Sequence, residues 1–226
     1  MSLSLLASLE ASTAAFGQLL GCSDLNRRVT TCPDWRVLDL AHHLGNVHRW
    51  AVAATLSDSP PVVPEDAPGP SAVQDWYAGS AAALVDRLTS ADPTDACWHF
   101  GAPPRQVGWW VRRQAHEAAV HLWDAQAALG TGVPLDPALA ADGVDEVLDV
   151  FVPRQVRMQR IPPLTAAVRL VATDAPLDRV LGDGGVAATV SGTASDLVLL
   201  LWKRVPLERV TVDGDPTTVL SARLVP

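Results

Sequence analysis

A change of hydrophobic period part-way along the chain sets its architecture before any motif is considered. Up to about residue 150, apolar side chains recur at three- and four-residue intervals, the spacing of one helical face. Helices are predicted near 2–20, 34–57, 71–90 and 105–129, with a shorter one near 137–152. After Pro162-Pro163 the rhythm shortens. "TAAVRLVATD" and "GVAATVSG" are brief, rich in Val, Thr and Ala, and bounded by Gly and Asp, so they read as strands. "TASDLVLLLWKRV" returns to helix with Thr193 or Ser195 as its cap. "LERVTVDGD" reads as a last strand, and "PTTVLSARLV" as a final helix opened by Pro216. The expectation is an α+β chain of two domains: a helical bundle over residues 1–153 and a small α+β domain over residues 160–226.

Local signals punctuate this layout. Asp34 in "TCPDW" can cap the second helix, and its carboxylate suits the positive end of the dipole. "SDSPPVVPEDAPGP" (Ser57–Pro70) is a Pro-rich connection that ends that helix. "GTGVPLDP" (Gly130–Pro137) closes the fourth, with Gly at the stop and Pro beyond it. The first twenty residues have no basic region and are interrupted by Glu10, so they read as an amphipathic helix and not as a signal peptide; a cytoplasmic protein is expected.

Several function classes fall away. The net charge of -8 disfavours nucleic acid, whose binding rests on neutralising phosphates with Lys and Arg. No stretch approaches the apolar length of a membrane span. Cys22, Cys32 and Cys97 are far apart and form no CxxC pair, which argues against a disulfide framework and a zinc–thiolate site.

Against this apolar background, "RQAHEAAVHLWDA" (Arg113–Ala125) stands out. His121 lies about 40° around the helix from Glu117, and Asp124 about 20° to the other side, with Trp110 and Ala128 on the same face. Along the second helix, Leu40, Leu44, Val47 and Ala51 form the apolar stripe. His43 sits roughly 60° from its centre, His48 roughly 80° off on the other side, and His42 roughly 160° off, toward solvent. His43 is therefore the histidine expected to turn inward. An ionised Glu costs several kcal/mol to bury unless it is paired or bound to a metal. An i, i+4 Glu–His pair is also an ordinary surface pairing. If buried, His43, Glu117 and His121 make a His₂Glu set of the kind that holds catalytic zinc, with Asp124 better suited to an imidazole N–H than to the metal. "HEAAVH" is not HExxH, because His116 and His121 are five apart and do not share a face.

Three stretches carry a resemblance: "TCPDWRVLDLAHHLGNVHRWA", "VGWWVRRQAHEAAVHLWDAQAALG" and "VSGTASDLVLLLWKR" followed by "VTVDGD". In this order they resemble the mycothiol-dependent maleylpyruvate isomerase family. The resemblance implies a DinB-like, metal-binding four-helix bundle followed by a sterol-carrier-like α+β domain. It implies Zn²⁺ held by His43, Glu117 and His121, and mycothiol as the thiol partner. It also implies a catalytic, substrate-binding arginine at the "LWKR" helix end, which falls on Arg204. The implied chemistry is a metal-bound thiolate used for isomerisation or thiol S-transfer on a small carboxylate-bearing substrate, which Arg204 would clamp. Trp109, Trp110 and Trp123 are candidates to line the pocket, Trp110 foremost. Two other readings use the same ligands: a zinc hydrolase activating water, and a non-catalytic metal- or thiol-binding stress protein whose shell is closed by Asp124 or His48. An interaction protein with an empty site is a further possibility.

Overall fold

The computed structural model describes residues 4–32 and 34–226. These form two compact units, residues 1–133 and 134–226. The predicted helix start at residue 2 lies partly outside the described residues. No helix among the described residues is long and apolar enough to cross a membrane.

The first unit is a bundle of four long helices, α1 (Leu5–Cys22), α2 (Val37–Ala54), α3 (Val73–Ser90) and α4 (Val107–Ala128). Each was expected, within a few residues. Phe16, Leu20, Leu40, Leu44, Tyr77 and Ala125, drawn from all four, meet in one buried cluster. The start of α2 differs from expectation. Its first turn is closed by Asp39, whose Oδ2 accepts from the Arg36 amide at 2.8 Å, and the helix begins three residues beyond Asp34. A carboxylate at the third helical position that reaches back to the cap amide does the work assigned to Asp34. Before it, the chain turns sharply. The Val29 amide donates to Trp35 O (2.9 Å) and the Val37 amide to Arg27 O (2.9 Å), which seats Thr31 and Trp35 beside the helices.

In the second unit, α5 (Pro137–Glu146) runs through a π-turn (Val147–Phe151) into α6 (Val152–Arg157). Asp136 caps it by accepting from the Ala138 and Leu139 amides. Strands β1 (Ala167–Ala172), β2 (Asp178–Leu181), β3 (Val186–Gly192) and β4 (Thr211–Gly214) follow, with α7 (Ala194–Leu201) between β3 and β4 and α8 (Thr217–Leu220) last. The sheet order is β2-β1-β3-β4: β1 pairs β3 in parallel, and β2 and β4 flank them antiparallel. The sequence reading missed β2. The division between units also falls twenty residues before the expected 153: α5 belongs to the second unit, burying Leu139, Val144 and Val147 there. Thr193, not Ser195, caps α7 by accepting from the Asp196 amide at 3.0 Å; the Ser195 hydroxyl instead accepts from the Leu135 amide. At the far end, Lys203 adopts φ +59 and the Arg204 amide reaches back to Leu199 O at 2.8 Å, closing the helix.

Candidate metal centre

Two helices bring the chemistry together. The 22-residue α4 presents Arg113, Glu117, His121 and Asp124 along one face, each one turn beyond the last. From α2, His43 turns inward to meet them. His43 Nε2 lies 3.2 Å from Glu117 Oε1, and His121 Nε2 lies 3.3 Å from the same oxygen. One donor atom from each of the three falls within 4.8 Å of the others. Donors at zinc–nitrogen and zinc–oxygen distances around a tetrahedral ion stand roughly 3.3 Å apart; the two histidine–carboxylate pairs match that spacing, and the two imidazoles would close toward it around a cation.

The surrounding side chains orient the three. Arg113, only 4% exposed, donates to Glu117 Oε2, which leaves Oε1 to face both imidazoles. Asp124, fully buried, accepts from His121 Nδ1 at 2.9 Å, so Nε2 is the nitrogen aimed at Glu117. Thr31 donates to the other Asp124 oxygen at 2.6 Å. The Trp35 ring packs against His43 with centroids 4.8 Å apart.

The electrostatics follow from this packing. Burial alone would raise the Glu117 pKa, but Arg113 and His121 outweigh it and hold the carboxyl well below its ordinary value. Burial would lower His121; Glu117 and the Asp124 hydrogen bond overcome that and push it up to about 9. His48 goes the other way. Wholly buried, it is pushed down to about 4 by desolvation and stays neutral, its Nδ1 2.9 Å from Gln114 Oε1 and its Nε2 3.4 Å from the Tyr77 hydroxyl.

Of the trio, His43 reaches an open cleft of about 760 Å³, lined on the α2 side by Trp35, Asp39, His42, His43, Asn46 and Trp50 and on the other by Val63–Ala67. The structure differs from two expectations here. Trp110 is fully buried, donates its indole N–H to Trp98 O at 2.8 Å, and packs edge-on to Trp50 and Trp109, so it is core and does not line the cleft. The tryptophans that line the cleft are Trp35 and Trp50. His42 is half-buried, not solvent-facing: its Nε2 lies 2.9 Å from Pro68 O and its ring stands edge-on to Trp76. Neither Asp124 nor His48 joins the trio, since both are committed to other partners. Arg204, in the second unit, donates to Trp202 O at 2.9 Å, and its guanidinium lies 5.7 Å from the Trp202 ring centre. Sequence reasoning missed Arg113 and Thr31. The Arg113 spacing was visible, one turn before Glu117, whereas Thr31 reaches α4 only through the loop ahead of α2.

Comparison with known proteins places the chain. Residues 6–126 match the model of the mycothiol maleylpyruvate isomerase N-terminal domain, and residues 138–220 match that of the C-terminal domain of the same enzymes. No curated protein matches the chain. Among solved structures, the fold is similar to the crystal structure of a mycothiol-dependent maleylpyruvate isomerase, with a TM-score of 0.67 and 16% identity over 94% of this chain and 95% of that one. A histidine-to-alanine mutant of the mycothiol-dependent maleylpyruvate isomerase gives a TM-score of 0.65 with the same identity and coverage. With both halves matched in order, the chain belongs to the mycothiol-dependent maleylpyruvate isomerase family.

Proposed function

We propose that the chain is a zinc- and mycothiol-dependent enzyme that carries out isomerisation or thiol S-transfer on a small carboxylate-bearing molecule. The observation that carries this reading is the meeting of His43, Glu117 and His121 from two helices, with His43 opening onto a cleft. Family membership and the mycothiol dependence of the similar enzyme support the thiol as partner. Zinc bound by these residues would lower the pKa of a thiol brought to it, making sulfur nucleophilic at neutral pH.

The remaining work falls to the chain's own groups. Arg113 and Asp124 fix which atoms of Glu117 and His121 face the cation, so little ordering remains to be done on binding. Trp35 covers one side of His43 and limits its exposure to water. We assign to Arg204 the substrate carboxylate, which a guanidinium fork can hold through two parallel hydrogen bonds.

Metal analysis tests the first part. The purified protein is expected to carry about one zinc per chain, and His43→Ala, Glu117→Ala and His121→Ala each to lose most of it; full retention in all three refutes the site. Calorimetric titration of mycothiol tests the second: binding to the zinc-loaded form and not to the metal-free form is expected, and equal binding to both overturns it. For Arg204→Ala, KM for a carboxylate substrate should rise at least about tenfold. An unchanged KM removes Arg204 from the reading.

A further inference from the structure

Residues 55–72 join α2 to α3 with no helix or strand of their own, a length at which loops are usually functional or disordered. Here the middle of the loop is fastened. Three α2 side chains spaced i, i+4, i+7 share one face and grip it in succession. His42 Nε2 lies 2.9 Å from Pro68 O. Arg49 pairs with the Asp66 carboxylate. Between them, the Asn46 amide makes both backbone hydrogen bonds of Asp66: Nδ2 donates to Asp66 O at 2.8 Å, and Oδ1 accepts from Asp66 N at 3.0 Å. One side chain thus satisfies both backbone groups of one residue, as a neighbouring strand would. Val63–Ala67, the segment so held, is one wall of the cleft, and His43 is part of the other.

We propose that Asn46 is a positioning residue: by latching the 62–68 strap to α2 it sets the width of the cleft and so decides which ligands dock against the candidate metal centre. This rests on the functional reading above. The strap touches only a ligand large enough to span the cleft. A bulky thiol therefore gains a wall from the latch, and a small one gains nothing.

The test compares wild type, Asn46→Ala and Asn46→Gln, the last keeping both amide functions. In the zinc-loaded protein, calorimetry with mycothiol and with 2-mercaptoethanol reads the latch directly. Asn46→Ala should weaken mycothiol binding about tenfold and 2-mercaptoethanol binding less than about twofold, with zinc content unchanged, and Asn46→Gln should recover most of the loss. An equal change for both thiols, no change, or tighter mycothiol binding overturns the proposal. A second arm needs no metal. Hydrogen exchange of the Asp66 amide should quicken at least about tenfold in Asn46→Ala, and acrylamide should quench more of the tryptophan emission, because Trp35 and Trp50 lie in the cleft. If neither moves, the latch is refuted. If wild type binds no zinc, the functional reading fails, and this second arm still decides whether Asn46 controls the cleft.

Discussion

His121 is held between two carboxylates, an arrangement that on the proposed reading would tie cation uptake to pH. With its pKa pushed up to about 9, the ring is protonated at neutral pH in the metal-free protein, and a cation must displace that proton. Below pH 9, apparent zinc affinity should therefore fall about tenfold per pH unit, with close to one proton released at pH 7. Calorimetry in buffers of different ionisation enthalpy measures both; affinity that is flat from pH 6 to 9 contradicts it. In the metal-free protein the raised pKa stabilises the fold fully below 6.5, and this contribution is lost as pH rises through about 9. His48 has the opposite sign. The unfolded chain takes up its proton near 6.5, the folded one only near 4, so stability declines as pH falls through that window. His48→Leu should flatten the decline while costing about 1–3 kcal/mol at pH 7, because Gln114 loses its partner. Urea unfolding at pH 7 and pH 4.5 reads both effects. Helical spacing alone picked out His43, Glu117 and His121, because a cross-helix cluster leaves its mark as charge on an apolar face. It could not separate Trp110 in the core from Trp35 and Trp50 in the cleft, since all three are indoles on helix or helix-entry positions. His42 looked solvent-facing because only the folded strap brings Pro68 across it.

At the scale of elements, α2 and α3 approach closely at Gly45. A Cβ there would run into the Trp76 ring. Gly45→Ala should therefore destabilise the bundle by about 1–2 kcal/mol despite the better helix propensity of Ala, and displace the Trp76 ring from His42. Thermal unfolding and a shift in tryptophan emission check this; a more stable variant would show that Trp76 swings aside freely. The long helices were readable because four turns of periodic apolar residues outweigh any local ambiguity. β2 was not, because "DRVL" is an edge strand of four residues with only Leu181 buried and no alternation to detect. The α5–α6 helix was expected to end near 152 but continues to Arg157 through a π-turn, and Pro153 lies just past that turn.

For the molecule as a whole, the two compact units divide at Val133/Pro134, and the trio lies in the first. Zinc at about one hundred times its dissociation constant should add about 2.7 kcal/mol to the unit that binds it. Differential scanning calorimetry is expected to show the transition of the first unit moving upward with zinc, while His43→Ala abolishes the move. A shift that persists in that variant would place the binding elsewhere. "GTGVPLDP" reads as the end of the fourth helix, but nothing in it marks a change of unit: the texture of α5 resembles the bundle helices, and only its packing assigns it to the second unit. The guanidinium on Glu117 Oε2 bears on which ions the proposed site would accept. With one of its oxygens spoken for, the carboxylate has a single hard donor to offer beside two nitrogens. Calcium seeks six to eight oxygens and magnesium an octahedron of them, so on the proposed reading alkaline-earth ions would gain almost nothing from this donor set and would compete little with a metal that favours nitrogen.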